Sequence, residues 1–403
     1  MRILFLSTWF PYPPSNGSRL RVNYLLRALA RDHAVTAAAF RWGESPNPGA
    51  GDGPPPGVEV HAVDVDPFRY VSLPAMVKFV SPLPLAYWPS RAMHRKLGAL
   101  RTSGHWDAVI AYAAPVAQYA LSLPIPRILE VDAALSYQMR ERFMQGGHLA
   151  ARLRALVSWR KAYWYESFLV RRFSAATVVS GRESGCVRSM VSTAPCRVEV
   201  IPNGVDCTHN RPGLAERQPH RLVYNGALSY DANYDAMVYF LSEIYPLIKR
   251  DIPDVSLTIT GSTTGVDLNG LALDDTVTLT GYVNDVRIPV SEAAVCVVPL
   301  RRGGGTRLKI LEAMALGTPV VATSKGAEGL DVVDGKDLLI ADTPASFAEK
   351  TAWLIRDIEF QRYLAANARM VVETRYDWGQ IGRQFVRLVE ETVDTHRNSE
   401  SQR

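Results

Sequence analysis

The chain alternates short apolar runs with amphipathic stretches, and it does so twice. Ile3–Leu6, Val35–Phe40, Val58–Val65, Asp107–Ala111, Arg127–Val131 and Ala175–Ser180 are too short for helices and read as strands. Between them the spacing turns helical, as in Ser18–Arg31, where Leu20, Tyr24, Leu25 and Leu29 recur. Strands that alternate with helices build a parallel sheet covered on both faces. After Val198–Asn203 the pattern restarts, with strands over Arg221–Asn225, Ser256–Thr260, Val277–Leu279, Val295–Pro299 and Pro319–Ala322, and a helix over Tyr234–Tyr245. A chain of 403 residues has room for two such α/β domains. No sequence repeat links the halves. Ser45–Gly57, dense in Pro and Gly, is a surface loop. Trp378–Thr392 is the last helix, and Ser399–Arg403 should fray.

Composition removes several classes. Apolar residues make up 47% and charged residues 21%, which excludes collagen-like, disordered and disulfide-scaffold chains. Lys and Arg number 45 against 40 acids, a net +5 that suits phosphate-bearing ligands or anionic lipid but does not announce nucleic acid. Cys186, Cys196, Cys207 and Cys296 form no C-x-x-C pair, and the histidines have no ligand spacing, so no zinc site is expected. Isolated thiols fit a cytoplasmic protein. Met1–Phe10 is apolar but short, runs into Pro11-Tyr12-Pro13-Pro14 and lacks a small-residue cleavage site. It reads as a buried first strand. No run approaches the roughly 18 apolar residues of a membrane span. Asp64-Val65-Asp66 has the form of a manganese-binding pair, but nothing around it supports that use.

The most informative block runs from Pro299 to Val321 and reads as strand, glycine loop, helix, tight turn, strand. Gly303, Gly304 and Gly305 let a ligand approach the backbone, and Thr306 leads into a helix whose first N–H groups favour anions. Arg307 and Lys309 add cations there. Lys309 and Glu312 share one helical face, and Glu312 is placed to accept hydrogen bonds from hydroxyls such as those of a ribose. The bland alternative is a flexible turn before a solvated helix.

Ala150–Phe173 is a long helix carrying Arg152, Arg154, Arg160, Lys161, Arg171 and Arg172 beside Trp159, Tyr163, Trp164 and Tyr165. The favoured expectation is that the aromatics pack inward while the arginines are solvated. The other is a helix lying on an anionic membrane.

In these motifs the chain resembles the retaining GT-B glycosyltransferases of family four. That family carries a Glu-x7-Glu pattern followed by Ala-Met-Ala-x-Gly-x-Pro-Val-Val, and Glu312 through Val321 match its second half. Ile201–Asp206, Tyr224-Asn225-Gly226, Thr280-Gly281-Tyr282-Val283 and Tyr376-Asp377-Trp378 fit the same pattern. The resemblance implies two facing Rossmann-like domains with a cleft between them. One would be residues 1–198, completed by a C-terminal helix over 377–395, and the other 199–376. It implies that Glu312 holds the ribose, that Tyr282 and Val283 lie by the base, and that Gly17, Gly226 and residues 303–307 meet the diphosphate. Asp132, after the strand ending Glu130-Val131, would bind a reacting hydroxyl; a helix cap is the alternative there, and Asn16 or Ser15 as cap is the alternative for Gly17. Three departures stand out. Gly304 occupies the position of the family's first glutamate, Asn16-Gly17 that of its glycine pair, and Ala227 and Asn233 those of its two phosphate cations. Lys309, catalytic with Asp132 on this view, and Arg307 are the cations left.

The expected function is metal-independent, cofactor-free transfer of a sugar from a nucleotide-sugar donor to an acceptor hydroxyl, with retention. The acceptor would be a glycan, a lipid-linked molecule or a small molecule. A cytoplasmic enzyme, alone or at the inner face of a membrane, and no nucleic acid partner are expected. The alternatives are a sugar-nucleotide epimerase of the same fold and an inactive GT-B binding module.

Overall fold

The computed structural model describes residues 1–14, 16–42, 53–68, 76, 89–132, 134–144, 148–191, 196–303 and 307–402. The chain divides into two units. The first combines Met1–Pro202 with Ile381–Arg403, and the second is Asn203–Gln380. The expected boundary at 198/199 falls inside a strand of the first unit, β7 (Arg197–Val200).

The first unit is a parallel sheet of β1 (Arg2–Ser7), β2 (Ala34–Phe40), β3 (Val58–Val63), β4 (Ala108–Tyr112), β5 (Arg127–Val131), β6 (Ala175–Val178) and β7, in the order β3-β2-β1-β4-β5-β6-β7. Its helices are α1 (Gly17–Leu29), α2 (Arg91–Ser103), α3 (Ala114–Ala120), α4 (Leu135–Met144), α5 (Leu149–Val170) and α6 (Gly181–Met190). Central strands of a parallel sheet are covered on both faces and must be apolar on both. β1 obeys this, with Ile3, Leu4, Phe5 and Leu6 all buried, which accounts for the apolar start of the chain. The strand order reverses direction between β1 and β4. Ser45–Gly57 is described only from Gly53 onward, where it is irregular and exposed apart from Pro55.

The second unit is also parallel: β8 (Gln218–Asn225), β9 (Ser256–Thr260), β10 (Val277–Gly281), β11 (Ala293–Val298), β12 (Val320–Ala322) and β13 (Leu339–Ile340), in the order β10-β9-β8-β11-β12-β13. It reverses between β8 and β11. Its helices are α7 (Asp231–Tyr239), α8 (Tyr245–Asp251), α9 (Arg287–Glu292), α10 (Leu308–Ala315), α11 (Pro344–Arg356) and α12 (Ile358–Val371). The helix expected over Tyr234–Tyr245 is interrupted by a π turn at Phe240–Ile244. Pro246 explains it, because proline has no N–H for the helical ladder and its ring crowds the carbonyl four residues back.

The last helix, α13 (Trp378–Ser401), runs past the expected end at Thr392 and through most of the segment expected to fray. Ile381, Phe385, Leu388, Val389 and Val393 are buried, and a Cβ on Gly382 would stand 2.7 Å from that of Ala28. Among the described residues no helix is long and apolar enough to cross a membrane.

α5 departs from its favoured expectation. Trp159 stacks on Phe143 and the Tyr163 and Tyr165 side chains are half-buried, but Trp164 is 76% exposed. The residues buried in the unit are instead Ala162, Glu166, Leu169 and Val170. The aromatics occupy positions all around the helix, so they cannot all share its inner face.

Candidate functional site

In doubly wound sheets ligands bind beyond the carboxyl ends of the strands, where the strand order reverses. In the second unit that place lies beyond Asn225 of β8 and Val298 of β11. The residues singled out from sequence converge there from three elements. α10 contributes Lys309 in its first turn, where the free N–H groups and the helix dipole favour an anion. The Lys309 Nζ donates to Tyr224 Oη at 2.8 Å and to Asn233 Oδ1 at 3.0 Å, and it lies 4.0 Å from the centre of the Tyr224 ring. Tyr224 Oη itself donates to Asn233 Oδ1 at 2.7 Å, and Asn233 Nδ2 donates to the carbonyl of Ala227. The ammonium sits directly against Gly226. A Cβ there would come within 2.6 Å of Nζ and 2.9 Å of Asn233 Nδ2, so any other residue would displace the cation.

One turn further along α10, Glu312 Oε2 accepts from Asn225 Nδ2 at 2.9 Å. Both charged groups are therefore held by neutral partners. Each is half-buried, and loss of hydration moves each pKa against its charge. The Lys309 ammonium is pushed down to about 7 and the Glu312 carboxyl up to about 7. A ligand that brought a diphosphate to one and hydroxyls to the other would restore both charges.

Arg307 has a different role from the one expected. Its side chain is buried, and Nη2 donates to the carbonyls of Gly303 at 2.7 Å and Lys325 at 3.3 Å. Through Nη2 it ties Gly303 to the turn after β12. Gly303 has φ +98°, in the left-handed region that favours glycine, and a Cβ there would come within 3.1 Å of Ala232. Gly304, Gly305 and Thr306 lie outside the described residues. Tyr282 is 81% exposed and Val283 half-buried, just beyond the end of β10.

In the first unit the corresponding reversal lies beyond Ser7 of β1 and Tyr112 of β4. Gly17 opens α1, and Asn16 caps it by accepting from the Arg19 backbone N–H at 3.0 Å. The Ser18 hydroxyl donates to Asp132 Oδ2 at 2.5 Å, and Tyr112 Oη donates to the Ser18 carbonyl. The role of helix cap considered for Asp132 falls instead to Glu166, whose carboxylate accepts from the Leu135 and Ser136 N–H groups that open α4. Beneath lies a fully buried ion pair. Arg21 Nη2 stands 2.8 Å from Glu130 Oε1, its other donors reach the Ile201 and Pro202 carbonyls, and the Thr177 hydroxyl donates to Glu130 Oε2. Asp64 pairs with Arg41, and Asp66 accepts from the Phe68 N–H.

Sequence reasoning missed three things. Tyr224 and Asn233 matter as holders of Lys309; a polar Asn233 beside the apolar Ala232, Ala236 and Met237 was the available signal. The Arg21–Glu130 pair gave none, because its members are 109 residues apart. Glu183 is the third. Its carboxyl is buried near Asp132, burial pushes its pKa up to about 7, and Oε2 has no hydrogen-bond partner.

Residues 219–357, which hold nearly all of this second-unit arrangement, match the family described as Glycosyl transferases group 1. The described architecture aligns over 98% of this chain and 100% of the other with sucrose-phosphate synthase from Thermosynechococcus elongatus, at TM-score 0.73 and 17% identity. It aligns over 97% of this chain and 100% of the other with Alr3699/HepE from Anabaena in complex with UDP, at TM-score 0.66 and 17% identity. The fold is thus the one these GT-B glycosyltransferase structures share, two parallel-sheet α/β units, and the match to Glycosyl transferases group 1 lies in the second unit. A more particular relative is the phosphatidyl-myo-inositol mannosyltransferase of Mycobacterium leprae (strain TN), 33% identical over 206 residues, or 48% of this chain and 54% of that protein. The chain spans about half the length of that relative.

Proposed function

We propose that the chain transfers a sugar from a nucleoside-diphosphate sugar to an acceptor hydroxyl, with retention at the anomeric carbon and without a metal. The observation that carries the proposal is the Lys309 ammonium held against Gly226, at the N-terminus of α10, one turn before Glu312. The diphosphate lies against Gly226, Gly303 and the free N–H groups of α10, and Lys309 neutralises it. Glu312 accepts from the ribose, and Tyr282 and Val283 flank the base. As the glycosidic bond breaks, negative charge grows on the leaving diphosphate, and a cation fixed beforehand by Tyr224 and Asn233 stabilises that state with little reorganisation. Lys309 and the helix terminus thereby supply what a divalent ion would otherwise bring. The UDP complex of Alr3699/HepE supports a nucleotide in this fold, and the resemblance to family four supports retention.

The acceptor is assigned to the first unit, where Asp132 and the Ser18 hydroxyl would bind the incoming hydroxyl. The test is a panel of nucleotide sugars. One of them should release its nucleoside diphosphate only when an acceptor is added. Release without an acceptor, or tight binding with no release on any acceptor, would defeat the proposal, the second result pointing to a binding module.

A further inference from the structure

α5 presents two unlike faces. Ala162, Glu166, Leu169 and Val170 pack into the first unit, while Leu149, Leu153, Trp164 and Phe168 face solvent at 84%, 59%, 76% and 42% exposure. Leu149 to Leu153, Leu153 to Trp164 and Trp164 to Phe168 are each close to a whole number of turns at 3.6 residues, so the four form one stripe. Met144, at the end of the adjoining α4, is 71% exposed. Isolated exposed apolar residues are ordinary on a protein surface, but four aligned on one side of a helix, a tryptophan among them, are not.

Cations line the same stripe. Arg152, Arg154, Arg160, Arg171 and Arg172 are exposed on or after α5, and so are Arg140 and Arg142 on α4. The acid of α5 is turned the other way, since Glu166 is spent inside on the N–H groups of α4. The outer face of α5 therefore carries no carboxylate. Residues 135–172 hold eight cations and two acids, a net +6, whereas the whole chain is +5. All the excess positive charge of the molecule is thus gathered in this hairpin, and the remainder is −1.

We propose that the outer face of the α4–α5 hairpin docks on an anionic lipid surface. Leu149, Leu153, Trp164 and Phe168 enter the boundary between headgroups and acyl chains, and the arginines pair with lipid phosphates. Exposed leucine, tryptophan and phenylalanine flanked by arginines have the chemistry of such an interface. Arg172 lies 3.7 Å over the ring of Phe168, so cation and aromatic are already paired at one end of the stripe. The inference goes beyond the sugar-transfer proposal and stands independently of it.

The test is cosedimentation of the full chain with vesicles of phosphatidylglycerol and phosphatidylcholine in equal parts, and with phosphatidylcholine alone. The chain should pellet with the first at low salt, not with the second, and should be released by high salt. Arg152→Gln/Arg154→Gln/Arg160→Gln should lower partitioning about a hundredfold. Leu153→Ser/Trp164→Ser should lower it at least about tenfold, since these side chains lose apolar burial in the lipid. Both variants change exposed positions and should keep the parent's melting temperature. Failure to pellet with phosphatidylglycerol, equal pelleting with both vesicles, or parental binding by Leu153→Ser/Trp164→Ser would overturn the proposal. The last result would assign the patch to a polyanion held by charge alone, such as a nucleic acid.

Discussion

The two units repeat one device at the reversal of the strand order, and they spend charge there in opposite ways. In the first unit Arg21 and Glu130 are fully buried and satisfy each other, with two carbonyls and the Thr177 hydroxyl taking up the remaining valences. In the second, Lys309 and Glu312 are held by Tyr224, Asn233 and Asn225, all neutral. A charge satisfied by a counter-charge holds a fold together. A charge propped by neutral groups has no hydrogen-bonded counter-charge, and burial pushes Lys309 down and Glu312 up to about 7.

The sharpest way to break this contrast is to remove one cation from each unit. Arg21→Met leaves Glu130 buried without its partner and should cost about 3–5 kcal/mol of stability. Lys309→Met removes an under-compensated charge and should leave the stability of the chain near the parental value. Chemical denaturation of both variants checks this, and equal losses would erase the distinction between lock and site.

The next effect is catalytic. Lys309→Met should lower kcat about a hundredfold, as loss of a preorganised group facing developing charge does elsewhere, and should weaken donor binding less. Steady-state kinetics with the donor varied would separate the two terms. Arg307→Met, in contrast, should show itself in stability before kcat, because its side chain is buried and Nη2 holds the Gly303 and Lys325 carbonyls. A smaller loss is expected for Glu312→Gln, whose affinity for a nucleoside diphosphate should fall about tenfold, the scale of one charge-assisted hydrogen bond. Titration calorimetry that found parental affinity would remove Glu312 from the ribose.

The smallest signal is a proton count. Diphosphate favours the charged ammonium, so binding raises the pKa of Lys309 from about 7 and takes up protons above that pH, where the free group is neutral. Ribose hydroxyls favour the carboxylate, so binding lowers the pKa of Glu312 from about 7 and releases protons below that pH, where the free group is protonated. Calorimetry in buffers of different ionisation enthalpy should therefore show net uptake near pH 8 and net release near pH 6. Uptake should vanish in Lys309→Met. A proton count that stays constant across this range would show that neither group responds to ligand.

Much of this was legible from local pattern. The strand, loop, helix and strand between Pro299 and Val321 carry their own periodicity and punctuation, and β11, with all six residues buried, is the apolar run that the sequence displays. What was hidden depends on partners far along the chain. Nothing near Asn233 says that it will support a lysine 76 residues away. Nothing near Leu135 says that its helix will be capped by Glu166, and so Asp132 was weighed for a task another residue performs. α5 is an intermediate case. Helical projection of Ala162, Leu169 and Val170 already puts Trp164 and Phe168 on the opposite side, but the expectation that aromatics are buried pulled the other way. Pro246 was visible too, and it marks the break in the helix that apolar spacing alone joined together.

α13 has a bearing on how the molecule comes into being. Its apolar side chains, Ile381 to Val393, belong to the first unit, although residues 203–380 are made in between. At synthesis rates of about 5–20 residues per second, the ribosome spends on the order of ten seconds or more on that stretch. During this interval the first sheet waits with the surface around Ala28 uncovered, while the second unit can already close upon itself. The first half to be made is therefore the last to be finished, and a growing chain is most vulnerable to proteases and to sticking at the region it translated first.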